Sequence, residues 1–294
     1  MATAMPGDKR LELPHFDVSD FVRRVLAEDM GSGGDVTSDA TIDADARFTA
    51  EMNCREPVTV AGLDLAIAFF RALDREVRVK KEVGDGDSVP AGTVLMRFEG
   101  NARAMLAAER SALNTLQHLS GIATLTRRYV DAIEGTEAVL LDTRKTVPGL
   151  RLLAKYAARM GGAQNHRMRL DDGVLIKDNH VAVCGGVEAA VAAARKANVG
   201  LPIQCEVDRI EQIEPALSAG AERLLLDNMK PDLLREAVRI VAGRVPLEAS
   251  GGVNLETIRA IAETGVDFIS VGRITQSAPA VDIGLDYSLQ ELPG

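Results

Sequence analysis

The sequence predicts an α/β protein in two parts, and three observations carry that reading. Beyond residue 135, short apolar runs and helical segments alternate six times in succession. From Ile203 through Arg223 and Pro246 to Phe268 the repeat is just over twenty residues, the length of one strand–loop–helix unit. Ahead of that region, residues 47–99 carry β-like runs divided by Gly- and Pro-containing turns, the pattern of a small α+β part. The regular alternation implies parallel strands with right-handed crossovers. Six such units can close into a barrel or lie open as a doubly wound sheet.

Composition narrows the class. The chain of 294 residues is 46% hydrophobic and 26% charged, ordinary for a soluble protein with a full core. Aromatics are 3% with no Trp, which argues against stacking on single-stranded nucleic acid. A formal charge of −9 argues against duplex binding. No apolar run approaches the ~20 residues that span a bilayer. The opening MATAMPGDKRLELPHF lacks the apolar core of a signal peptide, so a cytoplasmic protein is expected. Cys54, Cys184 and Cys205 are odd in number without CxxC spacing, and the four histidines show no paired ligand spacing. Neither a disulfide framework nor a zinc site is indicated.

In chain order, the first helix follows a loose lead-in, with Ser19 or Asp20 as its cap and Phe21, Val22, Val25 and Leu26 on its apolar side. It ends in a Gly-rich acidic turn (28–37) whose Glu28, Asp29 and Asp35 would repel phosphate, so a structural role is expected there. Strand-like runs at 48–53, 57–61, 77–83 and 93–98 follow, with one helix at Leu63–Leu73. The GDGDSVPAGTVL hairpin resembles those of biotinyl and lipoyl carrier domains but has no Lys to modify. Residues 101–133 read as helix, interrupted near Ser120-Gly121, with Glu109 and Arg110 as a solvated charge pair. Strands are then expected at 138–141, 174–176, 203–207, 223–226, 246–249 and 268–271. Helices are expected near 149–160, 187–198, 209–219, 231–242 and 254–264.

What stands at the strand ends matters most. They carry Asp142, Arg144 and Lys145; Lys177; Glu206 and Asp208; Asp227 and Asn228; Ser250-Gly251-Gly252; and Gly272-Arg273. In parallel barrels that one face holds the active site. Residues 142–180 carry eight Lys and Arg against four Asp in an otherwise acidic chain, a local field suited to an anionic ligand. Arg144, Lys145, His166, Arg167 and Lys177 form its positive wall. The EASGGVN run feeding a helix, paired with Gly272-Arg273 after the next strand, suits a phosphate. Glu206 and Asp227 offer hard oxygens for a bridging Mg²⁺ or stabilisation for positive charge developing on a sugar. Together these features imply two anionic substrates joined at a sugar carbon.

The motifs EDMGSGGDVT, ERSALNTLQHLSGIAT, DTRKTVPGLRLLAKYA, GGAQNHRMRLDDGVLIKDNH, LLLDNM, EASGGV and ISVGRIT together resemble the quinolinate phosphoribosyltransferase family over nearly the whole chain. The resemblance implies an N-terminal open α/β sandwich domain (1–117, with 276–294 returning to it) and a C-terminal six-fold (β/α) barrel-like domain (118–275). It implies transfer from phosphoribosyl pyrophosphate to quinolinate with loss of CO₂ and pyrophosphate, assisted by Mg²⁺. Quinolinate would be held by Thr143, Arg144, Lys145, His166, Arg167 and Lys177, and by Arg110 reaching across a homodimer or larger homo-oligomer. That assignment replaces the solvated-pair reading of Arg110. Lys145, Lys177, Glu206 and Asp227 would be catalytic, the two carboxylates also meeting the metal. Ser250, Gly251, Gly252, Val271, Gly272 and Arg273 would cradle phosphate.

Three rival readings remain at this level. A Schiff-base aldolase would use Lys177 as nucleophile. A non-catalytic relative would bind the ligand without releasing pyrophosphate. Nicotinate could replace quinolinate, although several cations around one ring suit the dicarboxylate.

Overall fold

The computed structural model describes residues 13–288, and its contacts divide the chain into two units. Among these residues the first takes in 13–125, Leu152–Gly161 and 278–288; the second comprises Thr126–Arg151 and Gly162–Ser277. The expected division at 117/118 falls inside the longest helix. Of the expected returning segment 276–294, residues 289–294 lie outside those described.

The first unit begins with α1 (Val18–Met30) and α2 (Val36–Thr41). Asp17 caps α1, not Ser19 or Asp20: its carboxylate accepts the Asp20 amide at 2.9 Å, leaving the Asp20 side chain to pair with Arg23 and Arg24. The acidic turn ends in a second cap, Asp35, which accepts the Ser38 amide at 3.0 Å. Next come β1 (Arg47–Cys54), β2 (Val58–Thr59), α3 (Leu63–Leu73), β3 (Arg78–Lys81), β4 (Ser88–Val89), β5 (Val94–Asn101) and α4 (Ala102–Ala132). Strands β1, β5 and β3 form an antiparallel sheet completed by β12 (Ile283–Ser288), in the order β12-β1-β5-β3. Alternation along β1 turns Phe48, Ala50 and Met52 inward, and Phe70 of α3 stacks on Phe98 of β5 with ring centroids 4.5 Å apart. The expected strand at 57–61 is only β2, paired with β4. Asp85 of the GDGD turn accepts the amides of Gly62 and Leu63 at the start of α3.

The expected break at Ser120-Gly121 is absent, and α4 runs unbroken for 31 residues. These two small residues are points of close approach. Ser120 Oγ accepts the Ala61 amide at 3.1 Å, and a Cβ on Gly121 would lie 2.1 Å from the Pro279 carbonyl. Sequence alone reads such a pair as a breaker because the neighbour comes from a distant segment.

The second unit is a six-stranded parallel sheet of β6 (Val139–Leu141), β7 (Val174–Ile176), β8 (Ile203–Val207), β9 (Arg223–Asp227), β10 (Leu247–Ser250) and β11 (Phe268–Ser270). Its order, β6-β11-β10-β9-β8-β7, is sequential around a ring, without the reversal that marks a doubly wound sheet. The ring is barrel-like and open: β6 and β7 form no ladder with each other, and a single parallel bridge, Leu141↔Gln164, stands on the β6 side of that seam. Every residue of β8 is buried, as expected of a strand covered on both faces.

The remaining helices are α5 (Arg151–Met160), which counts with the first unit from Leu152 on, and, in the second, α6 (Asp178–Cys184), α7 (Val187–Ala197), α8 (Ile213–Ala219), α9 (Pro231–Val241), α10 (Ile258–Ala262) and α11 (Arg273–Gln276). Helix α5 starts at Arg151, two residues later than expected. The 209–219 segment splits into a 3₁₀ turn (Ile210–Gln212) and α8. Helix α10 starts beyond Asn254, whose side chain instead accepts the amides of Glu256 and Thr257. Helix α6 went unforeseen because it buries no residue and so leaves no apolar period. No helix among the described residues is long and apolar enough to cross a membrane.

Candidate active site

The carboxyl ends of the six strands surround a cavity of about 750 Å³. Thr143, Arg144, Lys145, His166, Arg167, Lys177, Glu206, Asp227, Ser250, Gly251, Gly252, Val271, Gly272 and Arg273 all line it. Arg110 does not; it is exposed on α4 in the first unit. Two other expected strand-end residues also stand apart. Asp142 is fully buried beneath the rim, and Asp208 is exposed beside Arg209.

Strand order sorts the chemistry around the rim. Cations occupy β6, the open seam and β7; carboxylates follow at β8 and β9; glycine loops complete the circuit at β10 and β11. On the β6 loop, Thr143 Oγ1 accepts the Lys145 amide at 3.0 Å and Thr275 Oγ1 donates to the Lys145 carbonyl at 2.8 Å. The Lys145 stem passes over Gly272, where a Cβ would lie 2.7 Å from its Cδ. Arg144 Nε is buried without a hydrogen-bond partner, a donor left for something other than the described protein atoms.

Residues 165–167 cross the seam. Asp142 secures them from below, accepting the His166 amide at 2.8 Å and the Asn165 side-chain amide at 2.5 Å. The Arg167 guanidinium donates to the Gly173 carbonyl at 2.8 Å. Burial, and then the charge of neighbouring Arg144, push Arg167 below its ordinary pKa, with Asp172 opposing. Two guanidinium groups crowded in this way favour a ligand carrying more than one negative charge.

At β7 and β8, Lys177 Nζ lies 3.0 Å from Glu206 Oε2, and the Asp178 amide donates to the other Glu206 oxygen at 3.3 Å. At β9, burial first and the Glu206 charge second raise the Asp227 carboxyl above its usual range. Asn228 donates to Asp227 Oδ2 at 2.7 Å from a left-handed backbone conformation (φ 53°), while its amide meets the Ser250 carbonyl at 2.8 Å. Gly251 packs on that Asn228 side chain: its φ is 90°, and a Cβ would fall 2.2 Å from Asn228 Oδ1. Gly252, at φ 63°, has no atom within 4 Å of where a Cβ would stand. The open space at Gly252 lets a ligand approach the backbone of this cavity-lining loop closely, as a phosphate site needs.

Among the described residues, no group of three or more His, Cys, Asp or Glu could hold a metal. Glu206 and Asp227, both on the cavity wall, are two hard oxygen donors of the kind an Mg²⁺ would take. Sequence reasoning passed over Glu248, a fully buried carboxylate of β10 that also lines the cavity. It lies inside an otherwise apolar strand pattern, the one signal that could have marked it.

Residues 35–120 match the N-terminal domain of quinolinate phosphoribosyl transferase and residues 122–286 its C-terminal domain. The chain is 45% identical over 277 residues to a nicotinate-nucleotide pyrophosphorylase [carboxylating] from Mycobacterium leprae, covering 92% of this chain and 98% of that one. The structure of the nicotinate-nucleotide pyrophosphorylase from Francisella tularensis has a TM-score of 0.88 at 40% identity, covering 92% of this chain and 96% of that one. The corresponding protein from Ehrlichia chaffeensis gives a TM-score of 0.89 at 40% identity, with 93% and 100% covered. With both domain descriptions matched and relatives at this identity spanning nearly its whole length, the chain belongs to the quinolinate phosphoribosyl transferase family.

Proposed function

We propose that the chain transfers the phosphoribosyl group of phosphoribosyl pyrophosphate to the ring nitrogen of quinolinate. The products are pyrophosphate, CO₂ and nicotinate mononucleotide, a step of NAD biosynthesis carried out in the cytoplasm. The observation that carries this reading is the ordering of the rim, which matches a pyridine dicarboxylate, a ribose carbon and a phosphate in turn. Arg144, Lys145 and Arg167 receive the two carboxylates, with the unpartnered Arg144 Nε as one donor. The glycines at 251, 252 and 272 and Arg273 receive the 5′-phosphate.

Glu206 and Asp227 face the sugar carbon and stabilise positive charge as its bond to pyrophosphate lengthens. Lys145 and Lys177 neutralise the leaving group. Attack by the ring nitrogen on the sugar carbon quaternises it as the bond to pyrophosphate breaks; the adjacent carboxylate then departs as CO₂, its bonding pair stays on the ring carbon beside the cationic nitrogen, and that carbon takes a proton from water. Glu206 and Asp227 would hold an Mg²⁺, which would supply charge neutralisation for the departing pyrophosphate. The chain's own share is positioning and electrostatics.

The assembly we propose is a homodimer or larger homo-oligomer in which Arg110 enters a neighbour's cavity. In support, Arg110 is exposed and makes no hydrogen bond or ion pair among the described residues. The aldolase reading loses ground because the Lys177 ammonium is paired with Glu206 at 3.0 Å and does not stand in the apolar or cationic surroundings that activate a Schiff-base lysine. The test is a purified-protein assay with Mg²⁺, phosphoribosyl pyrophosphate and either quinolinate or nicotinate, measuring mononucleotide and CO₂ together. Equal amounts of both products from quinolinate, and little from nicotinate, are expected. Faster turnover of nicotinate, or absence of pyrophosphate release, overturns the proposal.

A further inference from the structure

The seam between β6 and β7 raises a mechanical question. Elsewhere around the ring a ladder of backbone hydrogen bonds fixes each strand end, but residues 165–167 cross the gap beside only the Leu141↔Gln164 bridge. Two buried carboxylates take the ladder's place. Asp142 holds the backbone of His166 and the side chain of Asn165, as described above. Glu248 holds the His166 ring.

Glu248 is fully buried; two donors hydrogen-bond one of its oxygens, Oε2, and the His166 ring nitrogen Nε2 stands in contact with it. Arg223 Nη2 lies at 2.7 Å, Gln204 Nε2 at 2.8 Å and His166 Nε2 at 3.3 Å. Arg223 is itself fixed, with its guanidinium 4.0 Å from the centre of the Phe268 ring. A buried ion pair is weak evidence of stabilisation, since apolar residues of like volume often serve as well. The third contact supplies a reason for this one. His166 Nδ1 accepts the Arg167 amide at 2.7 Å, so the ring carries its proton on Nε2, turned toward Glu248. Both ring nitrogens are therefore engaged within the protein, and the imidazole links a buried anion to the backbone of Arg167.

We propose that Glu248 is a positioning residue of the transfer reaction: acting through His166, it fixes Arg167 and with it the pyridine-dicarboxylate end of the cavity. This inference rests on the function proposed above. Burial works to raise the Glu248 carboxyl, yet the His166 contact, the charge of Arg223 and the Gln204 hydrogen bond lower it overall. The link thus uses a carboxylate that stays charged.

The experiment compares the steady-state kinetics of the wild-type enzyme, Glu248→Gln, His166→Ala and the double variant, varying each substrate separately. Glu248→Gln is expected to raise KM for quinolinate about ten- to a hundred-fold, the scale of a misplaced binding group, and KM for phosphoribosyl pyrophosphate by less than about two-fold. In the His166→Ala background the same change should add less than about two-fold, because the route through His166 is already cut. Equal rises for both substrates, an unchanged KM for quinolinate, or effects that multiply in the double variant overturn the proposal. Nitrogen-15 NMR of the wild-type imidazoles gives a reading that no folding failure of a variant can obscure. His166 should be protonated at Nε2 and not at Nδ1, and the reverse overturns the proposal. Should the wild-type protein fail to consume quinolinate, the proposed function falls, and the NMR measurement decides the Glu248–His166–Arg167 link separately.

Discussion

Lys177 Nζ and Glu206 Oε2 lie 3.0 Å apart at the ends of neighbouring strands, so two groups assigned to substrate contact each other before any substrate arrives. A pair so placed acts as a unit. Lys177→Ala and Glu206→Ala are each expected to lower kcat/KM by at least ~10²-fold. The double variant should lose much less than the product of the two, a coupling of about 0.5–3 kcal/mol. Strict multiplication of the two losses would show that the groups act independently.

Lys145→Ala and Arg167→Ala should each lower activity by at least ~10²-fold if oriented charge carries the rate. Circular dichroism and thermal melting should show both variants folded. Near-normal turnover in either would remove that residue from the proposed machinery.

Gly251→Ala places a methyl group at φ 90° and 2.2 Å from Asn228 Oδ1, whereas Gly252→Ala meets open space at φ 63°. Left-handed backbone alone costs roughly 1–2 kcal/mol for an L-residue, so both variants should lose stability. Gly251→Ala should lose more and should also raise KM for phosphoribosyl pyrophosphate, because its methyl displaces the residue that holds Asp227. Titration melts and substrate-dependent kinetics check the order.

Acid should weaken the fold through Glu248. Its carboxyl is held below the ordinary glutamate value, so its contribution is complete above that value in the unfolded chain. The contribution drains away as pH falls from there through the folded-state value. Melts of wild-type protein and Glu248→Gln should therefore differ most near neutrality and converge in acid. A gap that widens in acid would show the sign to be wrong.

Arg110 can be tested by mixing. Arg110→Ala and Lys145→Ala proteins, each nearly inactive alone, should regain activity when unfolded and refolded together. In a mixed assembly one cavity receives an intact Arg110 from its neighbour while keeping its own Lys145. Failure to regain activity, with mixed assemblies shown by mass spectrometry, would place Arg110 outside the neighbour's cavity.

Much of this was legible in the sequence because parallel strands are buried on both faces and announce themselves as apolar runs. The six strands of the second unit lie within a residue or two of expectation. The residues just past them gather at one mouth because parallel strands share a direction. What escaped has a common cause: it depends on partners far away in sequence. Ser120-Gly121 reads as a break until Ala61 and Pro279 are known to lie against it. Asp142 reads as a rim residue until Asn165 and His166 close over it. Glu248 stands out locally only as a charge in an apolar strand, and its partners stay hidden because Gln204, Arg223 and His166 come from three other segments.

The pairing of β12 with β1 bears on how the chain is made. Residues 283–288 complete a sheet whose next strand is residues 47–54, so a growing polypeptide exposes an unfinished edge for most of its synthesis. The barrel-like unit has all its strands by residue 270, while the earlier-made sheet must wait for residues 283–288 to leave the ribosome. Birth order and completion order are therefore reversed, and nascent chains arrested before residue 283 should be the ones that chaperones and proteases find.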